Sequence, residues 1–298
     1  MEGVCVIKTV NEKAYAKVNL FLDVVSRRDD GFHNVKTVMH SVSLADDLTV
    51  SAELSEKNFI TLDILGADLP ADDNNLVMRA CRAYLDKAGL SATVSIQLIK
   101  NIPIAAGLAG GSSDAAATLR ALNAIFLRFD EEGLCRLGLE IGSDVPFCLV
   151  GKTALCEGRG ELITKMPDCE KMYFAIAKGS ERVSTPEAYR TLDGQYSNFD
   201  GSVKTGGEAL YPLFERDYLH SVISPEHTFN IFEESSKDRI KSVAELKKQM
   251  SSYGATLSLM SGSGPSVFGI FRTSSEARAA VAALSDIGYA AFYAESVI

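Results

Sequence analysis

The chain has 298 residues, 46% of them hydrophobic and 23% charged, which is the balance of a folded globular protein with room for two compact domains. Its formal net charge is −9 and it has no dense block of Lys and Arg, so nucleic acid is excluded as the main partner. It also lacks a run of about 18 apolar residues and a basic leader before an apolar stretch, which predicts a cytoplasmic protein without membrane contact.

The first predicted element is a strand over residues 14–22, where apolar residues recur at every second position. Ala14, Ala16, Val18, Leu20 and Leu22 share one face, and the opposite face carries Tyr15, Lys17, Asn19 and Phe21. We expect a half-buried strand in which Lys17 and Asn19 point the same way.

The remaining elements up to residue 165 alternate between strand and helix patterns. Strands are predicted at 35–42, 48–54, 58–65 and 93–100, helices at 74–88, 115–129 and 131–139, and a hairpin of 152–157 with 161–165. We place the end of the first domain here, which gives an N-terminal domain over 1–165 and a C-terminal domain over 166–298.

The second domain is predicted to follow the order β-α-β-β-α-β of the ferredoxin-like arrangement. Its strands are predicted at 171–178, 255–260, 266–272 and 288–296, with helices up to about residue 250 and at 274–286. The polar, glycine-bearing stretch 197–207 is predicted to be a mobile surface loop.

A glycine-rich segment lies between the strand at 93–100 and the following helix. Gly107, Gly110 and Gly111 come directly before the helix, whose first polar residues are 112–114 (Ser-Ser-Asp). Glycines let a phosphate approach the main chain, and the N–H groups and dipole of a helix N-terminus favour an anion. The alternative is a loop in which Ser or Asp only caps the helix, and this segment alone leaves both open.

Other nucleotide-binding motifs do not fit. Gly151-Lys152-Thr153 matches the end of a P-loop, but Pro146 stands where its first glycine belongs. The spacing GxGxxG and the protein-kinase elements HRD and DFG are absent. A different phosphate-binding family is needed.

Two segments resemble motifs of the GHMP kinases: NIPIAAGLAGGSSDAAA, similar to the loop that binds ATP phosphates, and LMSGSGPSVFGIF near the C-terminus. The resemblance implies an α+β fold of two domains, an N-terminal mixed α/β domain of the ribosomal protein S5 domain 2-like type and a ferredoxin-like C-terminal domain. It implies ATP as co-substrate with Mg²⁺, for which Ser112 or Ser113 are candidate ligands. The implied ATP-binding residues are Pro103, Ala105, Ala106, Gly107, Leu108, Ala109, Gly110, Gly111, Ser112 and Ser113.

Three further segments narrow the resemblance: AYAKVNLFLDVVSRRDDGFHNVKT, GSDVPFCLVGKTALCEGRGE and VSTPEAYR. Together they resemble the branch of GHMP kinases that phosphorylates a hydroxyl of a methylerythritol linked to cytidine diphosphate. The alternatives are another GHMP kinase, of the homoserine or phosphomevalonate type, and a catalytically silent nucleotide sensor. A monomer or weak homodimer is expected.

By this resemblance Asp144 is the catalytic base and Lys17 its neighbour. A hydroxyl is a weak nucleophile, so a carboxylate accepts its proton while an ammonium group orients the carboxylate and offsets charge. Asn19 would bond the substrate or this pair. Taken without the resemblance, Asp144 is typical of a turn or helix cap and Lys17 of a solvated strand lysine.

The resemblance also implies a cytosine site. Phe32 and Tyr189 would stack on the two faces of the base and His33 would bond its edge, with Thr185 in support. Without the resemblance the rings are typical of core packing, and Ser184-Thr185-Pro186 of a helix cap.

The chain departs from the family pattern at a few positions. Ala105, Ala106 and Ala109 stand where many relatives carry glycine, and Phe32 replaces a common tyrosine. We expect the alanines to adopt ordinary backbone angles and Phe32 to keep a ring face for stacking.

Overall fold

The computed structural model describes residues 7–167, 170–181, 183–196, 205, 207–215, 228–235 and 240–298. Its strands are β1 Lys8–Arg27, β2 His33–Leu54, β3 Phe59–Leu65, β4 Ala92–Ile99, β5 Thr153–Gly158, β6 Leu162–Lys165, β7 Tyr173–Lys178, β8 Phe229–Asn230, β9 Leu257–Met260, β10 Ser266–Phe271 and β11 Ala290–Glu295. Its helices are α1 Leu76–Ala88, α2 Gly110–Phe126, α3 Glu131–Ile141, α4 Val145–Val150, α5 Thr185–Gln195, α6 Ile231–Ser235, α7 Lys241–Ser252 and α8 Ser274–Asp286, with a 3₁₀ helix at Gly207–Glu215.

The chain divides into two compact units that do not follow a single cut in the sequence. Unit 1 comprises Met1–Ala16, Ala45–Ile102 and Ala109–Val150, and unit 2 comprises Lys17–Leu44, Pro103–Leu108 and Gly151–Ile298. Strands β1 and β2 contribute residues to both units. The domain boundary near residue 165 stays a prediction.

Unit 1 packs helices on one face of a sheet. Strand β4 pairs in parallel with β3 and antiparallel with the second half of β2, and every second side chain of β4 is buried. Helix α1 begins at the Asn75 cap, whose side chain accepts from the Val77 N–H, and ends at Gly89 in the left-handed conformation. Its apolar face and the alanine-rich α2 contribute to the same buried core as β4.

Unit 2 contains an antiparallel sheet of four strands in the order β11-β7-β10-β9. With α5 after β7 and α8 after β10, this is the β-α-β-β-α-β arrangement that the sequence predicted. Helix α8 begins with a capping box in which Thr273 and Glu276 bond each other's backbone N–H groups. The sheet and its helices share one apolar core.

Three local expectations were wrong. Residues 35–42 and 48–54 belong to one continuous strand, β2, because the intervening Asp46 is buried and paired rather than in a turn. Helix α2 begins at Gly110, so its two glycines form the first turn. Strand β1 is buried on both faces from Ala16 to Leu22, not half-buried.

The predicted mobile surface loop at 197–207 lies outside the described residues, except for Thr205 and Gly207. Within the described part of the chain, no helix combines the length and the apolar character that crossing a membrane requires.

His40 is a fully buried histidine in β2 of unit 2. Its Nδ1 lies 2.7 Å from the Thr153 hydroxyl and its ring stacks on Phe174, while Nε2 has no hydrogen-bond partner among the described residues. Burial lowers the pKa of His40 to about 4 because the charged imidazolium would lose its hydration. The folded protein therefore holds His40 neutral.

This predicts a loss of stability in mild acid. The folded-state pKa is depressed, so the unfolded chain binds the proton first, and stability falls as the pH drops below about 6.5 towards 4. Between pH 8 and pH 5 the loss from His40 is roughly 2 kcal/mol. Urea denaturation of wild type and His40→Gln at both pH values measures it. Equal pH dependence in the two proteins contradicts the prediction.

Candidate functional site

The first part of the glycine-rich segment, Pro103–Leu108, belongs to unit 2. Hydrogen bonds hold its backbone at three positions. The Lys178 Nζ donates to the Ile104 carbonyl at 2.6 Å, and the Ser261 hydroxyl donates to the Gly107 carbonyl at 3.0 Å. The Lys17 N–H donates to the Leu108 carbonyl at 3.1 Å. Hydrogen bonds from three separate strands or strand ends therefore set the path of the loop.

Gly107 is required by close packing. Its φ is +74°, and a Cβ there would lie 2.3 Å from the Ser261 carbonyl oxygen and 3.1 Å from that of Gly264. Ser261 and Gly264 belong to the turn between β9 and β10, where Gly262 and Gly264 also have positive φ. Two separate motifs of the sequence thus pack backbone against backbone within unit 2.

The expectation of ordinary backbone angles for the alanines was wrong at two positions. Ala105 has φ +51° and Ala109 φ +57°, in the left-handed region that favours glycine. Ala106 is not among the positive-φ residues and its side chain is buried. Glycine would adopt the backbone angles of positions 105 and 109 without strain.

The first turn of α2, in unit 1, has no side-chain cap. The N-cap residue is Ala109, which makes no side-chain capping bond. Ser113 is buried and donates back to the Gly110 carbonyl at 2.9 Å. The capping alternative for this segment is therefore not observed, and the N–H groups that begin α2 suit an anionic ligand.

A buried ionic cluster lies beside this turn in unit 1. The Lys100 ammonium bonds both Asp46 and Asp114, the latter at 2.6 Å, and all three side chains are at most 5% exposed. Asp46 also accepts the Asn101 N–H at 2.5 Å and the Ile102 N–H at 2.8 Å. The cluster therefore fixes the backbone that leads into the glycine-rich segment.

The cluster carries two carboxylates for one ammonium. Burial raises the pKa of Asp114, and the negative charge of Asp46 raises it further, while Lys100 acts in the opposite direction. The Oδ1 of Asp114 has no hydrogen-bond partner in the part of the chain that the structure describes. In the sequence Asp114 stands out only as a polar residue of the first turn, and nothing there indicates its partners.

Lys17 and Asn19 lie on one face of β1, as predicted, and are almost fully buried in unit 2. The Lys17 Nζ donates to the Asn19 Oδ1 at 2.7 Å, and the Gly262 N–H donates to the same oxygen at 2.9 Å. The Asn19 Nδ2 donates to the Thr37 hydroxyl at 2.8 Å, which in turn donates to the Phe21 carbonyl at 2.6 Å. Asn19 therefore has one orientation, and its oxygen holds the lysine.

Asp144 immediately precedes α4 in unit 1, and its carbonyl accepts the Cys148 N–H at 3.1 Å. In the same turn, a Cβ on Gly142 would lie 3.9 Å from the Ser112 hydroxyl oxygen. The GSDVP turn and the start of α2 are thus neighbours within unit 1. Because Lys17 belongs to unit 2, its pairing with Asp144 stays a prediction.

The predicted cytosine-site residues lie in unit 2. The His33 ring is stacked on Tyr189, with centroids 4.6 Å apart, and its Nε2 lies 2.7 Å from the Asp193 carboxylate. Phe32 is 47% exposed, and the Arg159 guanidinium lies 3.9 Å from its ring centroid. The structure thus brings His33 and Tyr189 together, and it adds Asp193 and Arg159, which sequence analysis did not single out.

Thr185 begins α5, and its hydroxyl lies 3.0 Å from the Ser263 hydroxyl of the turn between β9 and β10. Ser184 occupies the N-cap position with Pro186 in the first turn, yet its side chain makes no capping bond. Thr185 therefore connects α5 to the same turn that packs on Gly107.

Comparison with known proteins agrees with this arrangement. Residues 75–152 match the GHMP kinases N terminal domain, and residues 220–290 match the GHMP kinases C terminal domain. A 4-diphosphocytidyl-2-C-methyl-D-erythritol kinase of Caldicellulosiruptor saccharolyticus is 41% identical over 260 residues, covering 87% of each chain. The same-named protein of Bacillus subtilis is 41% identical over 266 residues, covering 89% of each.

Solved structures extend the comparison. The crystal structure of a 4-(cytidine 5'-diphospho)-2C-methyl-D-erythritol kinase superposes with a TM-score of 0.77 at 32% identity, covering 97% of this chain and all of that one. A homoserine kinase from Cytophaga hutchinsonii gives a TM-score of 0.68 at 21% identity, covering 97% and 95%, and so shows a shared fold alone.

Fold and motifs together define an ATP-dependent small-molecule kinase with a mixed α/β N-terminal domain and a β/α C-terminal domain. The chain belongs to the GHMP kinase family. Within that family its relatives at about 40% identity bear the name 4-diphosphocytidyl-2-C-methyl-D-erythritol kinase. The resemblance found in the sequence is thereby confirmed.

A substitution at Gly107 tests the packing of the loop on the turn. Gly107→Ala should lower the free energy of unfolding by about 2 to 4 kcal/mol, because it adds a backbone clash to the cost of about 1 to 2 kcal/mol for a left-handed L-residue. Gly254→Ala is the matched control, since Gly254 has φ +91° with open space around it. Urea denaturation compares the two, and equal losses would mean that the close contact carries no energy.

Proposed function

We propose that this protein transfers the γ-phosphoryl group of ATP to the 2-hydroxyl of 4-diphosphocytidyl-2-C-methyl-D-erythritol, a step of the non-mevalonate route to isoprenoid precursors. The observation that carries the proposal is the 41% identity to proteins of that name over nearly nine tenths of both chains. Retention of the motifs that contain Lys17, His33 and Asp144 supports it. For the oligomeric state, our prediction remains a monomer or weak homodimer.

In the proposed reaction, the N–H groups of the glycine-rich segment and of the first turn of α2 bind the ATP phosphates. This role follows from the missing side-chain cap of α2 and from the helix dipole. The proposed ATP-binding residues in this part of the chain are Pro103 and 105–113. Because phosphoryl transfer has a loose transition state, positioning and charge neutralisation supply most of the rate.

Asp144 would accept the proton of the attacking hydroxyl, and Lys17 would orient the carboxylate and offset the developing charge. Support comes from the position of Asn19, which holds the Lys17 ammonium by a 2.7 Å bond in a buried setting. Asn19 was predicted to bond substrate or this pair. Its contact with Lys17 favours the second role.

A magnesium ion fits the residues at the start of α2. The Ser113 hydroxyl is engaged within the helix, whereas Ser112 is partly exposed and lies next to the turn that contains Asp144. No cluster of three or more His, Cys, Asp or Glu residues suited to a metal occurs among the described residues. Mg²⁺ typically takes one or two protein ligands besides phosphates and water, so Ser112 alone would suffice. The ion would neutralise phosphate charge.

The base assignment predicts the behaviour of Asp144→Asn. Turnover with ATP and the cytidylyl substrate should fall about 100-fold or more, while the affinity for ATP stays within a few-fold. ADP release in a coupled assay measures both. Asp130→Asn is the matched control, because exposed Asp130 only caps α3, and Asn caps equally well.

If wild-type protein, shown to be folded, releases no ADP above background with this substrate, the proposed function is wrong. If Asp144→Asn retains wild-type turnover, the function stands and the base assignment is wrong.

The cytosine site is tested separately by Tyr189→Ala and His33→Ala. Each should raise the KM for the cytidylyl substrate about tenfold or more, Tyr189→Ala by losing the roughly 1 to 3 kcal/mol of a base stack and His33→Ala by losing the hydrogen bond to the base edge. The KM for ATP should stay unchanged. Tyr189→Phe keeps the ring and should retain the wild-type KM. An unchanged KM in both alanine variants would rule out the pocket of Phe32, His33, Thr185 and Tyr189.

A further inference from the structure

Asn230, the last residue of β8, is buried in unit 2 and uses both ends of its amide on the backbone. Its Nδ2 donates to the carbonyls of Met260 at 2.8 Å and Gly262 at 2.9 Å. Its Oδ1 accepts the Phe232 N–H at 2.9 Å. The side chain therefore joins the start of α6 to the turn between β9 and β10.

Glu233, three residues further on, holds the same strand end. Its Oε2 accepts the Met260 N–H at 2.9 Å, and its Oε1 bonds the Lys247 ammonium. Both backbone polar groups of Met260 are thus bonded by side chains of one short segment. We call this pair of side chains, Asn230 and Glu233, the clamp.

The clamp holds the peptide groups on either side of the one that orients Asn19, through the Met260 and Gly262 carbonyls. Asn230 bonds the Gly262 carbonyl, and the Gly262 N–H donates to the Asn19 Oδ1, which accepts the Lys17 ammonium. Gly262 has little freedom of its own, since a Cβ there would lie 3.0 Å from the Gly107 carbonyl oxygen. A shift of Gly262 would therefore move both Asn19 and the loop.

We infer that Asn230 is a positioning residue for phosphoryl transfer, acting through Gly262 and Asn19 on the Lys17 ammonium. The inference rests on the proposed role of Lys17. Buried hydrogen bonds to backbone cost most when one partner is replaced by a group of the wrong polarity, because the orphaned atoms have no access to water. Asn230 faces two acceptors, so the loss of its donors should be felt directly at Gly262.

Asn230→Asp tests this without a change of size, because the carboxylate presents oxygens to the two carbonyls that the amide bonded. We expect kcat to fall about tenfold or more, with the KM of both substrates within threefold. The amide exchange rate of Gly262, followed by NMR on ¹⁵N-labelled protein, should rise about tenfold or more. In an Asn19→Ala background the same substitution should lower kcat less than twofold further.

Thr256→Val is the matched control. It removes another hydrogen bond of the same sheet, from the Thr256 hydroxyl to the Ile270 carbonyl, at the end of β9 remote from the turn. It should cost less stability than Asn230→Asp, because the Ile270 carbonyl still accepts the Thr256 N–H, and it should keep wild-type kcat and Gly262 exchange. Should Asn230→Asp fail to fold, Asn230→Ser keeps one donor and should show smaller changes of the same kind.

The failure of this inference and the failure of the proposed function give different results. Unchanged Gly262 exchange in the Asn230 variants overturns the inference whatever the enzyme phosphorylates. Faster exchange with unchanged kcat in an active enzyme also overturns it, because the clamp would then be structural only. An inactive wild type overturns the function, and the exchange measurement still decides whether Asn230 holds Gly262. If the effects of Asn230→Asp and Asn19→Ala on kcat are fully additive, Asn230 does not act through Asn19 and the inference is wrong.

Discussion

The orientation of one amide, that of Asn19, is the constraint on which unit 2 depends. Its oxygen accepts two donors, the Lys17 ammonium and the Gly262 N–H, and its nitrogen donates to Thr37. The carboxamide cannot be flipped without placing donors against donors, so it has a single polarity. A strand near the N-terminus and a turn near the C-terminus are thereby held together by a side chain that is 2% exposed. Residues separated by more than 240 positions must fold together before this contact exists.

In unit 1 the corresponding constraint is the N-terminus of α2, which has no side-chain cap. A helix that leaves its first N–H groups open for an anion gives up the energy of a cap, about 1 kcal/mol. The carboxylates of Asp46 and Asp114 lie near the same end of α2, with Lys100 between them. Negative charge near a helix N-terminus is favourable, so these buried groups stabilise that end of α2 from the interior of unit 1. Lys100 limits how far they repel an incoming phosphate.

Periodicity and motif spacing predicted most elements and the chain order of strands and helices in the C-terminal domain. They could do so because the burial of neighbouring side chains leaves a pattern in the local sequence. Two of the misread residues, Asp46 and Asp114, share one cause. Asp46 appeared to break a strand, and Asp114 appeared to be a cap, because the partner that neutralises both, Lys100, is distant in sequence from one of them. Asn230 and Thr37 gave no signal for a similar reason: a polar residue in a short apolar run shows neither its burial nor the backbone groups it bonds. Charge and hydrogen-bond partners are properties of the fold, whereas alternation is a property of the chain.

The left-handed alanines bear on how this loop tolerates change over time. An L-residue at such an angle costs about 1 to 2 kcal/mol in the folded state, but alanine also restricts the unfolded chain, which returns about 0.4 to 1 kcal/mol relative to glycine. The two effects oppose each other and the strain is the larger, so alanine in place of glycine at position 105 or 109 costs only about 1 kcal/mol. Gly107 has no such freedom, because the Ser261 carbonyl occupies the space of a methyl group. The loop thus combines two positions open to genetic drift with one that is closed to it, although all three share the same backbone region.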